Sequence, residues 1–192
     1  MLSGRRLDLL NPSPLDIEIS DIAQGLSRVA RWNGQTIGEH GFSVAQHSLV
    51  VERIVRHLDP ALSAKDCMVA LLHDAPEYVI GDMISPFKAA LGLRYKHFEA
   101  RLEAAINLRF GLPAHPRLHL KALIKRADRA CAYLEAVELA GFTKAEALVL
   151  FGEPVHGLHH DITPLSANDA HRAYLARFEH LMARAEDGLN DG

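Results

Sequence analysis

His73 and Asp74 close an apolar run, Cys67 to Leu72, and lead directly into Ala75-Pro76-Glu77. An imidazole and a carboxylate at the end of a segment hydrophobic enough to be core are costly to desolvate unless a cation compensates them. A divalent metal is the simplest such cation. Two more residues of ligand type sit in similar surroundings: His47 after Ser43-Val44-Ala45-Gln46, and Asp128 between Leu123 and Cys131. Two imidazoles and two carboxylates make a mixed nitrogen and oxygen donor set, suited to Mn, Fe, Co, Ni or Zn better than to Ca or a thiolate-selected metal. An ion that takes more than four ligands keeps positions open for water and substrate oxygens, the arrangement of a hydrolytic site. Any one of these residues alone reads as readily as a hydrogen-bonded core histidine or a capping acid. The conjunction of all four carries the metal reading, with one divalent ion per chain.

The elements that must position these side chains follow from hydrophobic spacing. It is helical nearly throughout, with no convincing period-two run and no internal repeat. The expectation is an all-α, single-domain fold with a metal site between core helices. Residues 1–18 read as an arm with room for a short β ribbon, residues 19–186 as the domain, and residues 187–192 as a disordered tail. A first helix is expected from an N-cap at Ser20, with Ile22, Leu26 and Val29 inward, ending near Trp32 where Asn33-Gly34 supplies a stop. Ser43-Val44-Ala45-Gln46 has the form of a capping box and opens a second helix toward His57. On its stripe of Val44, Val51, Ile54, Val55 and Leu58, His47 faces the core.

Ser63 with Asp66 caps a third helix that brings His73-Asp74 to its buried C-terminal end, and Pro76 breaks it there. Gly81-Asp82 and Ser85 to Lys88 read as loop. A fourth helix is expected from about Arg94 to Phe110, and a fifth from about Arg117 to Leu139. The fifth has the stripe Leu120, Ile124, Ala127, Cys131 and Leu134. Asp128 falls on that seam, and the charges of Lys125, Arg126 and Arg129 point elsewhere. A helix near Lys144 to Phe151, a His-rich loop at His156 to His160 and a last helix after Ser166 complete the chain.

Composition sets the outer limits. A chain of 192 residues builds one core, and 21 Lys+Arg against 24 Asp+Glu gives a net charge of −3, so no basic footprint argues for nucleic-acid binding. No apolar stretch approaches membrane-spanning length, and no signal-peptide core follows Met1 to Arg6, so the expected setting is cytoplasmic. Cys67 and Cys131 read as reduced core residues, with a ligand role as the alternative.

Several strings together resemble the HD-domain metal-dependent phosphohydrolases, most closely the small bacterial branch of 5′-deoxynucleotidases and phage dATP triphosphohydrolases. Over roughly residues 28–140, Arg31-Trp32 resembles that branch's Arg-Trp or Arg-Phe pair at the end of the first helix, and Ser43 to Ser48 its S-V-x-x-H-S. His73 to Glu77 is similar to its H-D-A-x-E, and Gly81-Asp82 with Pro86 and Lys88 to its G-D-x-x-x-P-x-K. Lys125 to Asp128 stands where it places K-x-A-D. The resemblance implies a nucleotide substrate and one metal held by His47, His73, Asp74 and Asp128, with Glu77 and Asp82 assisting the chemistry. Asp82 is then assigned the attacking water and Glu77 the proton near the leaving group, roles that can be exchanged. Arg31 and Lys88 become candidates for phosphate contact, and Trp32 for a wall of the nucleoside pocket. The branch has Glu before its first ligand where this chain has Gln46. A separate Glu39-His40 lies upstream, but His47 alone sits on the helical stripe.

The motifs fit two substrates: nucleoside 5′-monophosphates, the first expectation, and dNTPs cut to tripolyphosphate. A di-metal arrangement would draw on His97, His115 and His119. A silent nucleotide-binding module that regulates a partner is the alternative from another class, and homo-oligomerisation is expected by analogy.

Overall fold

The Ser43 hydroxyl accepts a hydrogen bond from the Gln46 amide and so caps the helix on which the domain is built, the second in chain order. The computed structural model describes residues 1–155, 157 and 162–190, with backbone alone for residues 85, 86, 88, 89, 93, 94 and 188–190. Eight helices are described: α1 (Ile19–Leu26), α2 (Val44–Leu58), α3 (Ala64–Leu71), α4 (Glu77–Ile80), α5 (Ser85–Arg109), α6 (Leu118–Glu138), α7 (Lys144–Phe151) and α8 (Ala167–Asn190). Among the described residues no strand forms beyond an isolated antiparallel bridge between Ala30 and Ser43. The all-α expectation holds. No described helix is long and apolar enough to cross a membrane. Residues 191 and 192 of the expected tail, and all of the His156 to His160 cluster except Gly157, lie outside the described residues.

Helix α2 is central and packs against α3, α6 and α8. Val51, Ile54 and Val55 on α2 share a core with Met68 and Leu71 on α3, Ile124 and Ala127 on α6, and Tyr174 and Phe178 on α8. Both start signals are used, though differently. At α3 the box is reciprocal, with Ser63 and Asp66 each bonding the other's backbone amide. At α2 only the Ser43 half forms. The Gln46 side chain instead donates to Thr163 O (2.8 Å) and accepts from Leu165 N (2.9 Å). An amide can do both, and a glutamate there could only accept.

Three expectations are corrected. The arm holds a short 3-10 turn, Pro14–Asp16 capped by Ser13, in place of a β ribbon. The first helix stops at Leu26 instead of near Trp32, because the chain turns to pair Ala30 with Ser43, and Arg31 N then donates to Phe42 O (2.8 Å). Ser85 to Lys88 is helical, since proline is accepted in a first turn, and the break falls at Gly92 (φ 71°, ψ −155°), a conformation reserved for glycine.

Gly25 on α1 marks a close approach. A Cβ built there would lie 2.6 Å from Tyr78 O and 2.8 Å from Tyr78 Cβ, on the short helix that begins with Glu77. Helix propensity alone favours Gly25→Ala by about 1 kcal/mol, but overpacking against backbone costs about 1–3 kcal/mol. Thermal unfolding is therefore expected to show a lowered Tm, by about 2–4 °C for a net loss of about 1 kcal/mol. A raised Tm would mean that α4 is free to move away.

Candidate metal centre and cleft

The four ligand-type residues converge. His47 comes from α2, His73 and Asp74 from the turn after α3, and Asp128 from α6. His47 Nε2 lies 3.4 Å from Asp74 Oδ2 and 3.2 Å from Asp128 Oδ1, and His73 Nε2 lies 3.2 Å from Asp74 Oδ2. Ligand atoms about 2.1 Å from one ion are about 3.0 Å apart at right angles and about 3.4 Å apart at the tetrahedral angle. The observed separations fall between those limits.

Both imidazole tautomers are set from behind. His73 Nδ1 is 2.9 Å from Ala70 O, a carbonyl that only accepts, so Nδ1 carries the proton. His47 Nδ1 is 2.6 Å from Glu135 Oε1, with the same consequence. Each ring therefore turns its Nε2 toward the two aspartates, where deprotonation would supply a lone pair to a metal ion. Both Nε2 atoms are buried, and neither has an aligned hydrogen-bond partner among the described residues. Orphaned imidazole nitrogens beside two carboxylates fit a divalent cation, which would take the place of the protons.

Charge points the same way. Burial and the Arg31 charge oppose ionisation of His47, yet Glu135, Cys131 and Asp128 hold its pKa well above the usual histidine range. Burial would raise Asp74 and Asp128, but the His73 and His47 imidazoles override it and hold both carboxyls low. The site demands positive charge.

Glu135 is the residue that the sequence analysis missed. Its side chain is fully buried, and it accepts from four donors: His47 Nδ1 and Cys131 Sγ (3.1 Å) on Oε1, Arg31 Nε (2.8 Å) and Trp32 Nε1 (2.7 Å) on Oε2. Burial acts to raise this carboxyl, and Arg31 and His47 overcome it. The signal was available: Asp128, Cys131 and Glu135 recur at helical spacing on one face of α6. His47, Cys131 and Glu135 also come close enough to suggest a second metal group. However, burial and the Glu135 charge push the Cys131 thiol up to about 12, so it stays protonated and donates.

In front of the aspartates lies a cleft of about 630 Å³, lined by Asp74, Asp128, Glu77, Asp82, Arg31 and Trp32 among others. Six of the residues singled out in the sequence thus share one cavity, with His47 and His73 at its base. The side chain of Lys88 lies outside the described residues. One expectation fails here: Lys125 and Arg129 also line the cleft, because Lys125 is one helical turn before Asp128 and Arg129 is one turn after Lys125 on α6. Trp32 sits in left-handed backbone (φ 57°), followed by Asn33 (φ 51°), and its ring packs on Phe142 (5.6 Å) and Phe151 (5.9 Å). His97 and His115 line a different groove, with Leu10 and Phe98.

Comparison with known proteins places the chain in a family. A family profile described as 5′-deoxynucleotidase YfbR-like matches residues 22–148, the stretch from α1 to α7 that contains all of the convergent residues. An uncharacterized protein of Rhodobacter capsulatus is 51% identical over 192 residues, covering 98% of this chain and 96% of its own length. The uncharacterized Escherichia coli protein YfdR is 30% identical over 166 residues, 86% of this chain and 85% of its own length. A 5′-deoxynucleotidase of Pectobacterium atrosepticum is 28% identical over 143 residues, 63% of this chain and 72% of its own length. With the match spanning most of the helices that converge on His47 and Asp128, the chain belongs to the YfbR-like 5′-deoxynucleotidase family.

Proposed function

We propose that this protein is a divalent-metal-dependent nucleotide phosphohydrolase that cuts the phosphate ester of (deoxy)nucleoside 5′-monophosphates. The observation that carries the reading is the pair of buried, unpartnered Nε2 atoms beside Asp74 and Asp128, next to a cleft that is cationic on one wall and aromatic on another. Its volume suits a small molecule. The Pectobacterium relative is named for this activity.

His47, His73, Asp74 and Asp128 would hold the ion, which supplies Lewis-acid polarisation of a phosphoryl oxygen. Lys125 and Arg129 face the same space and neutralise phosphate charge, while Trp32 and Phe151 offer ring surface to the nucleoside. Asp82 orients the attacking water and takes its proton; the water oxygen bonds phosphorus as the bond to the 5′ oxygen breaks. Glu77, buried at the N-terminus of α4, delivers a proton to that leaving oxygen.

A second reading, removal of tripolyphosphate from a dNTP, is favoured by the Lys125 and Arg129 pair, which gives cationic reach beyond one phosphate. A product assay over common nucleotides with added Mn or Co separates the two. Inorganic phosphate released from monophosphates is the expected result. Tripolyphosphate would establish the second reading, and tight metal binding without turnover would leave a silent binding module.

A further inference from the structure

Glu135 touches both halves of the cleft without lining it. Its two oxygens offer about four lone-pair positions, and four donors fill them: His47 and Cys131 on one oxygen, Arg31 and Trp32 on the other. No acceptor site is left for a metal. His47 belongs to the candidate metal set, while Arg31 and Trp32 line the substrate side. We infer that Glu135 is a positioning residue that fastens the metal-side imidazole and the nucleotide-side pair to one carboxylate, so that metal affinity and nucleotide affinity are set together. This rests on the reading of the cleft proposed above.

Two physical effects underlie it. A carboxylate behind a ligating histidine fixes its tautomer and raises its basicity. On the other side, Trp32 and Asn33 occupy left-handed backbone, an unfavourable conformation for side chains with a Cβ that persists only where surrounding bonds impose it. The Trp32 indole N–H bond to Glu135 and the Arg31 amide bond to Phe42 O are such bonds. Loosening the carboxylate therefore loosens both the imidazole and the ring wall.

The test starts from metal-free protein titrated with Co(II) alone, by competition with a chelating dye, together with the visible absorption of the Co(II) form. For Glu135→Gln the expected result is Co(II) affinity weaker by about 10–100-fold and displaced absorption bands. At saturating metal, KM for a nucleoside monophosphate should rise about 10-fold while kcat changes less than about 3-fold, the pattern of lost ground-state binding. A purely space-filling role would lower Tm and leave the spectrum alone.

Glu135→Gln leaves the Arg31 charge buried without its partner, which endangers folding. The double variant Glu135→Gln, Arg31→Met removes both charges together and keeps the net charge of the site. It should show the same band displacement and at least about 10-fold weaker Co(II) binding. Wild-type affinity within about 2-fold, with an unchanged spectrum, in either folded variant would overturn the inference. Should the protein bind Co(II) but hydrolyse no nucleotide, the proposed function fails, and the affinity and spectral arms still decide the role of Glu135.

Discussion

Asp128→Ala is expected to abolish divalent-metal binding and nucleotide turnover while leaving the metal-free fold intact. Asp128 Oδ1 is one of the two carboxylate oxygens beside His47 Nε2, so its removal takes a member from the proposed ligand set. A loss of at least about 10³-fold in kcat/KM is expected, corresponding to about 4 kcal/mol of transition-state stabilisation. The fold should survive because the side chain is 40% exposed at the cleft wall. Removing it also relieves the repulsion from Asp74, which acts to raise the Asp128 pKa.

Two melting curves separate these effects. Metal at 100 times its Kd adds about 2.7 kcal/mol to wild-type stability, which raises Tm by about 5–10 °C for a chain of this size. In Asp128→Ala the metal-free Tm should stay near wild type and the metal-induced rise should vanish. A persistent rise, or retained turnover, would show that the ligand set is misassigned.

The proposed ligands are legible in the sequence because each is a polar residue out of place on or at the end of an apolar stripe. His47 follows a Ser43 cap by four residues, and Asp128 interrupts Ile124, Ala127 and Cys131; helical spacing alone puts them inward. The same spacing is harder to read further along α6. Spacing puts Leu134 on the stripe where the fully buried residue is Glu135, because a charge at a core position is legible only when its partners are known. Those partners, Arg31 and Trp32, lie about a hundred positions away in sequence, and no local pattern announces them. Their own placement was hidden for a different reason. Asn33-Gly34 reads as a helix stop, but the left-handed backbone begins one residue earlier, at Trp32, where side-chain propensity argues against it. It is imposed by tertiary bonds. Gly92 was likewise passed over, since a glycine inside a helical run marks a break only when the flanking turns pack in different directions.

Glu52 provides the contrast that tests whether a buried carboxylate on this scaffold must serve the site. It lies on α2, is 1% exposed, and accepts from Arg177 Nε (3.1 Å) and Nη2 (2.6 Å) on α8, with Arg56 Nε at 2.8 Å. Like Glu135 it is a buried acid paired with arginine, but none of its partners lines the cleft. Glu52→Ala leaves two guanidinium groups without their anion, and breaking a buried pair on one side costs about 3–5 kcal/mol. Arg177 and Arg56 are 20% and 44% exposed, so partial hydration places the cost at the lower end, about 3 kcal/mol, or a Tm lowered by about 6–12 °C. Co(II) affinity measured well below the transition should remain within about 2-fold of wild type, against the 10–100-fold loss expected behind a ligating imidazole. The double variant Glu52→Leu, Arg177→Leu should regain most of the stability, because an apolar pair of similar volume replaces a buried ion pair at little cost. A weakened metal site in folded Glu52→Ala would mean that the α2 to α8 clamp, as well as Glu135, sets the position of His47.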